Sequence, residues 1–595
     1  MTLKKNIFRK TGRARVWLAS ALLSSVMLSH AGCFLNEELE PYYSPVIVPR
    51  AQEFRWSDGG LPQTFDPAFA AAPPDTDLVR AIFEGLTDYD ARTLTPVPAV
   101  ATSWEASNGG QVWTFYLRPD ARWSNGEKVT ANDFVRSWQR TLRIGDLAPH
   151  TELLDNIEGA NRPGTGVRPA ASESTKQNPS QSDSRAASGS TPGEAAIRFG
   201  AEAVSELVLR VRLRRPDMSF PALVAHPVFR PVKLKDDEAT EKLVASGLVS
   251  NGAFSLAKSE GERVLLERAI NYWDKEQVTL ERVAFVAQKN VESALEAYRE
   301  GEVDAVTNAA LEPLAIKLLK PYEDFRRTTY GALTYYTFNK AHAPFDDVRV
   351  REALALAIDR DRISADDMGG ATEPAKRFLP DAVSELPKPV VGKSELLEKD
   401  FLRARELLAE AGFPDGRDFP KLRLLINRNE QQRTVAQAVA AMWRRELNIE
   451  TEIVVKNWDE YEAAIRAGDF DVVRRGVVIQ TTDELTNMRM IFRGVSSSAT
   501  YDTSGGLGVE PATDSEARKG NFNVKNAGAP QQSETEAQAL NDLSAMPIYF
   551  ASSYALVKPY VTGFESNMLD APSLKTVRIN TSWKPSEPSG AGWTK

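Results

Sequence analysis

Side chains able to do chemistry are sparse in this chain. Its four histidines, His30, His150, His226 and His342, lie far apart in sequence, and none has another within a helical turn. A metal site or a Ser-His or Cys-His device therefore has no visible basis. There is one cysteine, Cys33. No G-x-x-x-x-G-K-[ST] loop is present, and the glycine-rich stretches fall in low-complexity sequence, so nothing here cradles a phosphate. Carboxylates are plentiful, but runs such as 395–410 place them on the solvated face of amphipathic helices. These residue types predict no enzyme, no cofactor and no metal. What remains is binding.

Composition agrees with that reading. The 595 residues are 42% hydrophobic and 26% charged with a formal net charge of −8, a globular chain of several domains. A mildly acidic balance offers no basic footprint for nucleic acid. The start is different. Lys4, Lys5, Arg9, Lys10, Arg13 and Arg15 precede the apolar run 16–28, which suits a secretory signal. Ala31-Gly32 then leads into Cys33, where a bacterial lipoprotein signal would be cleaved and lipidated. His30 stands where such signals usually carry an aliphatic residue. Residues 1–33 are thus expected to be a lipoprotein-type signal peptide, and 34–51 a tether holding an exported body at the membrane.

The elements that must position a binding site begin with residues 100–140. Trp113, Phe115 and Leu117 alternate with Thr114, Tyr116 and Arg118, a strand pattern bracketed by Asn108-Gly109-Gly110 and Ser124-Asn125-Gly126 turns. Thr130 then predicts the N-cap of a helix with Asp133 in its first turn and Phe134, Val135 and Trp138 on its apolar face. Further strands are expected at 207–213, 334–339, 422–426 and 452–455, and helices from Val350 and at 399–411 and 435–445, a β-α alternation of open α/β type. Segments 161–194 and 494–535 are rich in Ser, Gly, Asn and Gln. They cannot bury enough surface to offset chain entropy and predict disorder or low complexity.

The stretch 100–140 also carries a resemblance. Ala101-x-Ser103-Trp104-Glu105, Thr114-Phe115-x-Leu117-Arg118, Trp123-Ser124-x-Gly126 and Thr130-Ala131-x-Asp133-Phe134 resemble, in order and spacing, the signature of the peptide-binding proteins of bacterial ABC importers. Phe83-Glu84-Gly85-Leu86, Asn251-Gly252-Ala253-Phe254, Asn271-Tyr272-Trp273-Asp274, Gly301-Glu302-Val303-Asp304 and the block from Pro344 to Arg360 continue it. It covers about 52–158, 200–490 and 540–582.

The resemblance implies a periplasmic-binding-protein-like two-lobed α/β clamp, type II, in the three-domain peptide-binder variant. Domain I would comprise 52–83, 222–338 and 548–595, domain II 84–221, and domain III 339–547. The implied function is capture of extended oligopeptides and delivery to membrane permease subunits, by a monomer in the periplasm or on the outer face of the cell membrane. Pocket positions fall by resemblance on Tyr335, Tyr336, Trp458, Arg474, Gly476 and Tyr549. Pro73, in the loop that would pair with the ligand backbone, has no N–H to give. The family's aspartate for the peptide α-ammonium falls on Gln480, which offers no charge, with Asp483 three residues on as a substitute. A blocked peptide, another neutral solute, or a transport-inactive surface scaffold are the alternatives that this loss leaves open.

Overall fold

The computed structural model describes residues 41–160, 199–235, 240–381, 383, 396–492 and 535–585. The expected signal peptide, Cys33 and both low-complexity segments lie almost wholly outside them.

Two lobes share one sheet. In the first, β1 (Glu53–Asp58) runs parallel to β9 (Arg282–Val286) and β10 (Ala305–Thr307), and antiparallel strands β8 (Arg263–Arg268) and β7 (Phe254–Glu260) extend the edge. In the second, β12 (Leu422–Asn427) lies parallel to β13 (Thr451–Lys456) and β14 (Val472–Val478). The bridge is a pair of antiparallel strands, β11 (Phe325–Phe338, 14 residues) and β15 (Ala545–Val557, 13 residues). The resulting eleven-stranded sheet runs β13-β12-β14-β11-β15-β10-β1-β9-β8-β7, with Thr372–Pro374 paired to β15 off this path. Long strands crossing between lobes are what a hinged clamp requires.

Residues 100–140 build a separate four-stranded sheet, β3 (Ala101–Ser107), β4 (Val112–Leu117), β6 (Val208–Arg212) and β5 (Ala201–Ser205). The alternation holds: Trp113, Phe115 and Leu117 are buried, and Tyr116 is exposed. Helix α2 (Ala131–Ile144) starts as the sequence predicts, with Asp133 accepting bonds from the Thr130 N–H at 2.8 Å and hydroxyl at 3.0 Å. Trp123 and Trp138 are fully buried, and each indole N–H is satisfied, by Asp133 at 3.3 Å and by the Phe229 carbonyl at 2.8 Å. Truncating either to Ala would cost about 3–5 kcal/mol. These tryptophans are core, not a binding box.

The second half of the expected tether is fastened to the first lobe. The Tyr43 ring lies 5.4 Å from that of Tyr322 and 6.4 Å from that of Tyr298, and its N–H donates to Asp324 at 3.0 Å. The buried Lys558 ammonium donates to the Ser44 hydroxyl, and burial lowers its pKa to about 8. Among the described residues, no helix is long and apolar enough to cross a membrane.

Candidate ligand-binding site

In open α/β sheets, ligands lie beyond the carboxyl ends of the parallel strands. Here those ends bring Asp58 and Thr307 to the edge of the first lobe, and Asn427, Lys456 and Val478 to the edge of the second. Two helices of the second lobe begin at this edge. Helix α5 (Glu430–Leu447) is capped by Asn429, which accepts from the Gln432 N–H at 3.0 Å; helix α6 (Trp458–Ala467) is capped by Asn457. Their positive dipole ends favour anionic groups there.

One group of expected site residues converges here. Tyr336 pairs in register with Arg474 across β11 and β14, and the Tyr549 hydroxyl on β15 accepts from Gln432 Nε2 at 2.7 Å. The Arg474 side chain is 2% exposed, has no carboxylate partner, and leaves its Nε and Nη2 without a hydrogen bond among the described residues. A Cβ at Gly476 would come within 3.1 Å of Arg474 Nη2, so a larger residue there would press on the guanidinium and shift it slightly. The Tyr336 hydroxyl and Gln432 Oε1 are likewise unpaired. Burial raises the Tyr336 pKa, so its phenol stays neutral and able to donate. A buried, unpaired guanidinium beside a phenol donor has the charge and donor geometry to bind a carboxylate.

Tyr335 points to the other face of the same strand, donating its hydroxyl to the Ile491 carbonyl at 2.9 Å. Trp458 is 39% exposed at the rim, its ring 5.6 Å from Tyr461, whose hydroxyl donates to the Arg474 carbonyl. Neither joins the guanidinium.

The second group bridges the lobes. His226 Nδ1 accepts from the Val228 N–H at 3.2 Å, so Nε2 carries the proton and donates to Gln480 Oε1, also at 3.2 Å. The His150 ring stands edge-on to His226 with centroids 4.8 Å apart, and His150 Nε2 bonds the Ala71 carbonyl at 2.8 Å. Burial, then the charges of His150 and Arg80, hold His226 well below its usual pKa. Sequence spacing hid this histidine pair because tertiary packing alone joins residues 150 and 226. Asp483 is already committed. One oxygen accepts from the Ser219 hydroxyl across the lobes, and the other from the Thr486 N–H, capping helix α7 (Glu484–Phe492); both distances are 2.5 Å.

Residues 95–499 match the bacterial extracellular solute-binding proteins, family 5. The chain belongs to this family. Relatives of this solute-binding protein span nearly its whole length. The periplasmic oligopeptide-binding protein OppA of Escherichia coli is 29% identical over 534 residues, covering 87% of this chain and 91% of its own. The murein peptide-binding protein MppA of the same organism is 29% identical over 562 residues, covering 93% and 96%. A solved unliganded open form of MppA superposes with a TM-score of 0.68 at 27% identity, covering 90% of this chain and 98% of that one. A probable deoxycholate-binding periplasmic protein of Escherichia coli, YgiS, is 28% identical over 568 residues, covering 93% and 96%.

Proposed function

We propose that this protein is the substrate-binding component of an ABC importer, closing its two lobes over a peptide and presenting it to membrane permease subunits. Export, lipid attachment at Cys33, a monomeric state and the three-domain division belong to the same reading, as does the absence of catalysis. The observation that carries it is Arg474: a guanidinium 2% exposed and without a carboxylate partner among the described residues, within β14 and close to the carboxyl end of the neighbouring β12. Leaving such a charge unpaired is costly, and a peptide carboxylate relieves it. Tyr336, Tyr549 and Gln432 surround that end, while Gly476 provides the space. The loop after β14 contributes Gln480, a neutral amide, to the opposite end.

A second reading has specific support. The position of the missing aspartate is neutral, and one relative is described as binding deoxycholate, a monocarboxylate without an amine. Calorimetry against a set of tri- to pentapeptides, their C-terminal amides, and deoxycholate separates the two. Peptide binding weakened at least tenfold by amidation, with the difference lost in Arg474→Gln, supports the peptide reading. Binding of deoxycholate alone replaces it, and heat with neither class overturns both.

A further inference from the structure

The point where the chain enters the first lobe fixes one face of the molecule relative to Cys33. The Pro41 carbonyl accepts from the Glu323 N–H at 2.8 Å, and the Tyr42 ring stands edge-on to Trp583 with centroids 5.7 Å apart. Tyr43 packs in one apolar cluster with Tyr322, Phe325 and the buried Leu319, and Ser44 is held by Lys558. The chain is thus part of the folded body from residue 41 onward. Eight residue steps separate Pro41 from Cys33, and a fully extended chain of that length spans at most about 29 Å. With a lipid on Cys33, whatever surrounds Pro41 and Glu323 stays within that reach of the headgroups.

Helix α3 (Pro313–Leu319) lies beside this entry point, for the Tyr322 N–H closes the turn that follows it by donating to the Leu319 carbonyl at 3.0 Å. Its burial is one-sided. Ile316 and Leu319 are 6% and 2% exposed, whereas Leu314 and Leu318, one turn apart on the opposite side, are 68% and 65% exposed. At 100° per residue Lys317 flanks the two leucines on one side and Lys320 on the other; both lysines are exposed, and neither has a carboxylate partner among the described residues. Apolar tips with an ammonium on either flank suit a lipid interface, where leucines sink below the headgroups and lysine stems reach back to the phosphates.

We infer that α3 is a lipid-contact element, setting Leu314 and Leu318 into the leaflet that carries the Cys33 lipid, so that the first lobe rests on the membrane and the second is free to close. The inference rests on the lipid attachment proposed above and is independent of the ligand. Two observations choose lipid over a protein occupant. The tether keeps this face near lipid at all times, and two leucines fall far short of the roughly 800 Å² that each partner buries in a stable protein interface. Leu402, 71% exposed on α4 (Phe401–Glu410) of the second lobe, is a leucine of equal exposure without a tether beside it.

The test uses the full chain, lipidated and reconstituted on vesicles of phosphatidylethanolamine with a minority of phosphatidylglycerol. A nitrobenzoxadiazole reporter is attached at Glu312→Cys, next to α3, or at Leu402→Cys, and doxyl-labelled lipid is the quencher. Cys33 is the only native cysteine, so a lipidated wild type takes up no reporter. Quenching is expected to be about twofold stronger at residue 312 than at residue 402. With Leu314→Ser and Leu318→Ser together it should fall to the level at residue 402, and the melting temperature should hold because both leucines are exposed. Equal quenching at the two positions, or quenching at residue 312 that survives the serines, overturns the contact while lipid attachment stands. If the serines instead abolish co-purification with permease subunits and leave quenching unaltered, the face docks protein and the lipid contact is overturned. Reporter uptake by the wild type means a free Cys33, and the lipid-attachment reading then fails together with this inference.

Discussion

Glu84 accepts the indole N–H of Trp273 at 2.7 Å on one carboxylate oxygen and the hydroxyl of Tyr272 on the other. The Asn251 side chain closes the same knot, accepting from the Glu84 N–H and donating to the Glu84 carbonyl, both at 3.0 Å. A Cβ on the adjacent Gly252 would lie 2.5 Å from the Ile82 carbonyl carbon, so only glycine fits. Three family motifs therefore meet as structural fasteners. Glu84→Ala leaves two largely buried donors without their acceptor, while the Lys575 ammonium, 3.2 Å from Glu84, keeps Asp88 at 3.5 Å. The expected loss is about 3 kcal/mol in a urea titration, since each stranded buried donor costs roughly 1–3 kcal/mol. Ligand affinity of the folded fraction should not change.

That knot shows what the sequence discloses and what it withholds. Short-range periodicity located Trp113, Phe115 and Leu117 on the buried face of a strand and placed Thr130 at a helix start, because both patterns follow from local backbone geometry. Order and spacing pointed to the family, which the match over 95–499 bears out. Contacts between distant residues leave no periodic trace. The His150–His226 pair and the commitment of Asp483 to Ser219 and a helix cap both depend on how the lobes pack. The expected tether, read as a polar spacer, is pinned from Tyr43 onward by aromatic contacts that its composition did not reveal.

His226 and His150 make the fold sensitive to acid. Burial depresses both below the ordinary value of 6.5, so below that pH the unfolded chain takes up protons that the folded chain refuses. Stability must fall with pH in this window, by about 1.4 kcal/mol per unit for each histidine until its own folded pKa is reached. Replacing His226 with Gln should roughly halve that slope between pH 6.5 and 5 in chemical denaturation. An unchanged slope would mean that His226 is already protonated in the native state.

Asp570 has the opposite sign. Burial first, then the charge of Asp58, raises it from 3.8 to about 6. At pH 7 the native state holds a carboxylate that the unfolded state solvates better, a deficit of about 3 kcal/mol that disappears as pH falls through 6 toward 3.8. Asp570→Asn keeps the acceptor for Ser553 and is expected to raise stability by up to about 3 kcal/mol at pH 7, with no gain near pH 4. Equal gains at both pH values would assign the effect to packing rather than to charge.

Ser219 has one hydroxyl proton and two carboxylates competing for it, Asp217 Oδ1 at 2.6 Å within its own lobe and Asp483 Oδ1 at 2.5 Å across the cleft. Burial and the charge of Asp483 raise the Asp217 pKa, so the form in which the lobes touch binds a proton more readily than the separated form. By linkage, acid favours contact: as pH falls through the raised value, Asp217 gives up its claim on the hydroxyl and Asp483 receives the bond undivided. Small-angle scattering of the ligand-free protein should therefore show a smaller radius of gyration at pH 5 than at pH 7.5. In Asp217→Asn, which cannot ionise, the protein should already be compact at pH 7.5, a shift of about 1 kcal/mol toward closure. Ser219→Ala should stay open at both pH values, and a wild-type radius insensitive to pH would remove this triad from control of the lobes.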